Sequence, residues 1–322
     1  MFSLKIRILL IALFLVTCLN TIYVLYSRTN SLIFSVASSF ILAAVCFLIS
    51  KPVYASFDGY SKARLERERL GVELAIAARI QAGMIPYVFP AFPGRTEFDI
   101  YASMLPAKEI GGDFYDFFLI DEDNLAIVIA DISGKGIPSA LFMSITKTLI
   151  KNNACLGKSP AEVFKTVNNA LCENNNSAMF VTAFMAYYNT SSGNLIYANA
   201  GHNPPYIKKS GKDYEIMKIE PCLVLGCIED IEYKEGTITL ESGDNIFLYT
   251  DGITEAMNPK RELFSETRLH DTLQKYREKQ PKELINAIKH EIDVFVEGEE
   301  QADDITMLAL KIDHLTMPKK HP

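Results

Sequence analysis

Leu125 to Ala130 are six consecutive apolar residues that stop on Asp131, and Ile246 to Thr250 stop in the same way on Asp251. Apolar runs of this length bounded by turn residues read as strands covered on both faces. A carboxylate at the exit of such a strand is costly unless something compensates its charge. Asp113 after Gly111-Gly112, and the pair Asp303-Asp304 before the run Ile305 to Leu310, share the setting. Each one alone has a local reading: Asp131 as a helix cap, Asp251 in an Asx turn, Asp113 closing a glycine turn. Four in one setting argue for a shared role, because adjacent strand ends would bring them to one rim of a sheet. Clustered carboxylates repel, so the set requires cations between them. Aspartate oxygens suit hard ions such as Mg²⁺ or Mn²⁺, and no His or Cys lies nearby in sequence to favour zinc or copper. Two such ions ~3.5–4 Å apart would lower the pKa of a shared water and aim it at phosphorus.

The surrounding pattern is α+β. "FDIYASM", "DFYDFFLI" and "LAIVIAD" read as strands. Ser139 to Asn152 and Ser159 to Asn174 read as helices. A series of short strands follows, then helix from Glu262 to Phe295 broken at Pro281, then a last strand, "DITMLALKI". Strands and helices come in groups rather than in regular β-α-β alternation. The net charge of −7 and the lack of a long basic run in this region give no reason to expect nucleic acid. Six cysteines without a C-x-x-C pair read as reduced thiols.

The first fifty residues differ in kind. Apolar runs at 8–26 and 31–49 are each about long enough to cross a ~30 Å hydrocarbon core. They predict a two-helix membrane hairpin within residues 1–52. Lys5 and Arg7 precede it and Lys51, Lys62, Arg64, Arg67 and Arg69 follow it, which places both ends on the cytoplasmic side of the cell (inner) membrane. Residues 53–86 predict a connecting helix ending at Pro86, residues 87–315 the main domain, and 316–322 a tail. Two apolar stripes run along the helix: Ala63, Leu70, Ala77, Met84, and Leu65, Val72, Ile76, Ile80. They suit either docking on the chain's own domain or a homodimer through residues 62–84, with Leu70, Ala77 and Met84 at the seam.

The motifs "PAKEIGGDFYDF", "ADISGKGIPSALFM", "NAGHNPPYI", "LYTDGITEA" and "DDITMLAL", in that order, resemble the SpoIIE/RsbU-type serine/threonine phosphatases. These are bacterial members of the PP2C-like, metal-dependent (PPM) family. The resemblance covers about residues 74 to 312. It implies an α-β-β-α sandwich with two Mn²⁺ or Mg²⁺ ions at one edge. The implied ligands are Asp113, Asp131 with the carbonyl of Ile132, Asp251, and Asp303, with Asp304 as the alternative to Asp303. It further implies hydrolysis of phosphoserine or phosphothreonine on a signalling protein, with a STAS-type anti-anti-sigma factor as the expected partner. The histidine that eukaryotic members carry just after the bridging aspartate is absent, because Ile132-Ser133 stand there. Their phosphate-binding arginine has no evident counterpart. Lys135 and His202 are the candidates to contact phosphate, and His202 has a second reading as a turn-stabilising imidazole. Two other classes compete. "GGDF" suggests a nucleotide cyclase of GGDEF type, but Phe114 replaces the required acid and Asp251 would have no role. A membrane scaffold with an inactive phosphatase fold would not need the complete aspartate set.

Overall fold

The structure, a computed structural model, describes residues 32–314 and short stretches within 12–24. A single helix, α1 (Leu32–Met84), takes in both the second apolar run and the expected connecting helix. The run at 31–49 thus continues without a break into the connecting helix, and the turn expected between the two apolar runs lies outside the described residues. Among the described residues no helix is long and apolar enough to cross a membrane, so the expected hairpin finds no support there. Most of the run at 8–26, and the tail at 316–322, lie outside the described residues. The chain divides into two compact units, Met1–Glu73 and Leu74–Pro322.

The second unit is built on two five-stranded sheets in which every pairing is antiparallel. The first sheet has the order β1 (Phe98–Leu105), β10 (Ile305–Ile312), β9 (Asn245–Tyr249), β6 (Tyr206–Lys208), β7 (Tyr214–Ile216). The second has the order β2 (Phe114–Leu119), β3 (Asn124–Ile132), β4 (Val181–Asn189), β5 (Asn194–Ala200), β8 (Glu235–Thr239). Helices α2 (Ile137–Cys155) and α3 (Pro160–Cys172) cover the second sheet; α4 (Ser265–Lys275) and α5 (Pro281–Val296) cover the first. This is the expected α-β-β-α sandwich.

The alternation of side chains along each strand assigns the layers. On β9, Ile246 and Leu248 enter the larger core, while Phe247 and Tyr249 enter the core under α4 and α5. On β10, Leu308, Leu310 and Ile312 go to the first and Ile305, Met307 and Ala309 to the second. Leu125 to Ala130 of β3 are all fully buried, so the unbroken apolar run reflects a strand with both faces covered. Helix ends follow local chemistry. Ser159 and Glu162 form a reciprocal capping box at α3, and Pro281, read as a break, is the first residue of α5.

On α1, Ala77 and Met84 are half-buried and Met84 Sδ accepts a hydrogen bond from Ser144 Oγ at 3.5 Å. Leu65, Val72, Ile76 and Ile80 are instead between 55% and 68% exposed. The stripe expected to form a seam with a second subunit thus turns, at its end, toward its own domain, and the other stripe is left open.

Candidate metal centre

Four strand ends converge where the two sheets meet. Asp113 immediately precedes β2 and Asp131 is the penultimate residue of β3, both in the second sheet. Asp251 follows β9 and Asp303 precedes β10, both in the first. The Asp113 and Asp131 carboxyls interact directly, and Asp131 also feels the charges of Asp251 and Asp303. One carboxylate oxygen each from Asp251, Asp303 and Glu255 lie within 4.8 Å of one another.

The electrostatics follow from this crowding. Burial, then the charge of Asp131, holds the Asp113 carboxyl well above the usual carboxylate range. Burial, then Asp251, pushes Asp131 up to about 7. Asp251 is raised by burial and by Glu255 and Asp303. Such a set is poorly disposed to carry its charges together unless cations lie among them. The donor set is all oxygen, buried or half-buried apart from the exposed Glu255, and fits hard divalent ions such as Mn²⁺ or Mg²⁺.

The adjacent pair Asp303-Asp304 divides its work. Asp304 is 8% exposed and accepts backbone N–H bonds from Ala107 at 2.7 Å, Gly112 at 2.5 Å and Asp113 at 3.3 Å. It fixes the loop that carries Asp113. Asp303 points to the acidic cluster and pairs with Lys135 Nζ at 2.9 Å. Lys135 also donates to the carbonyl of Ala302. Burial alone would lower the lysine pKa, but the Asp303 hydrogen bond and charge raise it.

Two glycines let backbone come close at this point. A Cβ on Gly252 would lie 1.9 Å from the carbonyl oxygen of Asp304, so only glycine lets the chain leave Asp251 beside β10. A Cβ on Gly112 would lie 3.1 Å from the carbonyl oxygen of Ile132 and 3.2 Å from Ser139 Cβ. The Ile132 carbonyl therefore borders the Asp113 loop.

His202 sits elsewhere. It is 4% exposed, with Nδ1 2.9 Å from Thr182 Oγ1 and Nε2 3.1 Å from the carbonyl of Tyr249. Asn199 clamps its backbone at both N–H and C=O. Both ring nitrogens are spent on a tie between the two sheets, and the ring has none to offer a phosphate. Burial lowers its pKa to about 4. A depressed imidazole pKa contributes stability that is present above about 6.5 and lost as pH falls toward 4. The stability difference between wild type and His202→Gln should therefore shrink by roughly 3 kcal/mol between those values. Comparing the two proteins by chemical denaturation cancels the carboxylates' own titration. A difference that stays constant with pH would show the ring is not held neutral.

Three further residues of the site stand outside the strand-end aspartates. Thr250, fully buried, donates from Oγ1 to Asp113 Oδ2 at 2.7 Å and so orients a carboxyl 137 residues away. Gln81 grips the Gly111 peptide, donating to its carbonyl at 2.6 Å and accepting from its N–H at 3.1 Å. Glu255 lies one turn beyond Asp251, its N–H bonded to the Asp251 carbonyl at 2.8 Å. Its four-residue spacing from Asp251 was the one available clue.

A two-sheet sandwich flanked by helices, with aspartates from both sheets at one edge, is a PP2C-type fold. The SiaA PP2C domain of Pseudomonas aeruginosa superposes with a TM-score of 0.68 at 22% identity, covering 77% of this chain and 98% of that one. The PP2C phosphatase domain of SpoIIE from Bacillus subtilis does so with a TM-score of 0.59 at 20% identity, covering 69% and 66%. In sequence, the phosphoserine phosphatase RsbU of Bacillus subtilis is 38% identical over 205 residues, which is 61% of this chain and 60% of RsbU. Protein IcfG of Synechocystis is 30% identical over 281 residues, 79% of this chain and 42% of IcfG. The chain thus spans about half the length of these two curated relatives. The family model of stage II sporulation protein E (SpoIIE) matches residues 121–313, and the chain belongs to that family.

Proposed function

We propose that this chain is a metal-dependent protein phosphatase that removes phosphate from serine or threonine of a signalling partner. The observation that carries the reading is the meeting of Asp113 and Asp131 from one sheet with Asp251 and Asp303 from the other. Asp113, Asp131, Asp251, Asp303 and the Ile132 carbonyl would hold two Mn²⁺ or Mg²⁺ ions, with Glu255 beside them. When bound, the ions supply the Lewis acidity that makes water a nucleophile toward phosphorus. The chain's own residues set the geometry. Thr250 orients Asp113, Asp304 and Gln81 fix the loop that carries it, and Lys135 is the cation at the mouth placed to meet phosphate oxygens. Two relatives, RsbU and RsbP of Bacillus subtilis, are named phosphoserine phosphatases, which supports the substrate class.

A STAS-type anti-anti-sigma factor is the proposed partner, on the strength of the family resemblance. Pairing of two copies along residues 62–84 is proposed from the apolar side chains left exposed there. Anchoring at the cell membrane, with the site in the cytoplasm, is proposed from the apolar runs and flanking basic residues of the first fifty positions. The scaffold alternative predicts no turnover. The full chain, incubated with a phosphoserine protein and Mn²⁺, should release inorganic phosphate. Release should stop on chelation and return with Mn²⁺ or Mg²⁺. Activity that survives exhaustive chelation, or that only Zn²⁺ restores, would refute the assigned centre.

A further inference from the structure

Phe180 is a large apolar side chain, 39% exposed, in a segment whose next residue, Val181, is fully buried. Its neighbour Met179 packs against the larger hydrophobic core. The β3–β4 register explains where it stands. Asp131 pairs with Thr182 and Ile132 with Val181. Two hydrogen bonds carry the pairing one step further: Ser133 N–H donates to the Phe180 carbonyl at 2.9 Å, and Phe180 N–H to Ser133 Oγ at 2.9 Å. Opposed residues share a face and alternate residues along a strand share it too. Phe180 and Ser133 therefore lie on the face that carries Asp131 and Thr182. Diagonal neighbours across a strand pair are ~7–8 Å apart, within reach of an aromatic ring. Continued one step beyond the strand ends, that register puts Phe180 diagonal to Asp131.

Its backbone is held firmly. Asn175 accepts from Met179 N–H at 3.1 Å and donates to the carbonyls of Met179 at 2.6 Å and Gly226 at 3.0 Å. Asn174 and Ala178 adopt left-handed backbone, with φ of 61° and 49°, a conformation that non-glycine residues keep only where surrounding contacts impose it. A single exposed apolar side chain is ordinary on a protein surface; what sets Phe180 apart is its place on a fixed strut beside the acidic cluster, where a substrate side chain would pass.

We infer that Phe180 determines specificity: its ring receives an apolar side chain adjacent in sequence to the phosphorylated residue of the substrate. This rests on the phosphatase reading. The test uses the full chain with Mn²⁺ and two phosphoserine peptides that differ only in the flanking residues, leucine in one and glutamine in the other. Both are uncharged, so repulsion from the carboxylates does not distinguish them. Wild type should favour the leucine peptide by about tenfold in kcat/KM. Phe180→Ala should bring the ratio close to one, and Phe180→Leu should retain most of it. If Phe180 only braces the Ser133 loop, Phe180→Ala will slow both peptides equally and leave the ratio intact, which overturns the proposal. Equal rates for both peptides with wild type also overturn it and leave the phosphatase reading standing. No hydrolysis of either peptide by wild type would remove that reading, and the role of Phe180 with it.

Discussion

Asp131→Asn and Asp251→Asn are each expected to lower phosphatase turnover by at least ~100-fold while the domain stays folded. Losing a residue that only supports a metal ligand already costs about 10–100-fold, and these two are assigned as ligands themselves. Asparagine keeps the shape of the side chain and removes one charge from a cluster where burial and mutual repulsion already hold Asp113, Asp131 and Asp251 above their ordinary pKa values. In metal-free protein that change relieves repulsion, so the melting temperature should hold or rise. With Mn²⁺ added, wild type should gain more stability than either variant, because a ligand bound only by the folded state stabilises it by mass action. Asparagine caps helices and forms turns as well as aspartate does. A variant with wild-type turnover would therefore return that residue to a purely local role. Thermal melts with and without Mn²⁺, beside the rate, separate the two cases.

Lys147→Met is expected to cost about 3–5 kcal/mol of stability, the largest loss foreseen for a residue away from the acidic cluster. Lys147 of α2 reaches down to Asp116 of β2, and the ion pair is closed off from solvent, with side-chain exposures of 9% and 3%. Its other oxygen, Asp116 Oδ1, accepts only the N–H of Phe117, at 3.0 Å. Methionine fills the same volume but leaves a carboxylate in an apolar layer without its counter-charge. Replacing both partners, as in Lys147→Met with Asp116→Leu, removes the uncompensated charge and should restore most of the loss. Denaturant titration of the three variants makes the comparison. A single-variant loss below about 1 kcal/mol would mean that water reaches Asp116 and that the pair does not hold α2 to the sheet.

The residues that sequence could place are those whose role is set by neighbours along the chain. Leu125 to Ala130 announced a strand covered on both faces, and Pro281 marked a helix boundary, because both signals are local. The strand-end aspartates were visible for the same reason: a carboxylate closing an apolar run is anomalous without any knowledge of what lies across from it. What was not visible depends on pairing at a distance. Thr250 looks like any strand threonine until β9 is laid against the Asp113 loop. Gln81 looks like a polar residue on a helix until Gly111 comes under it. His202 offers two readings in sequence, a phosphate contact and a structural imidazole, and partners at a distance decide for the second. A histidine between glycine and asparagine invites a functional reading, yet Thr182 and the Tyr249 carbonyl, neither close in sequence, take both of its nitrogens. Asp303 and Asp304 could not be separated from sequence because adjacent residues in a strand-entry loop point in different directions, and only their partners show which one faces the acidic cluster.

The pairing of β1 with β10 joins the first strand of the domain to the last, over eight residue pairs from Phe98–Ile312 to Leu105–Ile305. On its other side β10 pairs with β9. A chain emerging from the ribosome must therefore hold β1 and β9 without their shared neighbour until the final strand is made. Asp303 and Asp304 arrive with that strand, one completing the acidic cluster and the other fixing the Asp113 loop. Every earlier nascent form lacks both, so the acidic cluster stays incomplete until synthesis of the domain is finished. A premature stop, or proteolytic removal of the last strand, leaves a fragment in which that cluster cannot form.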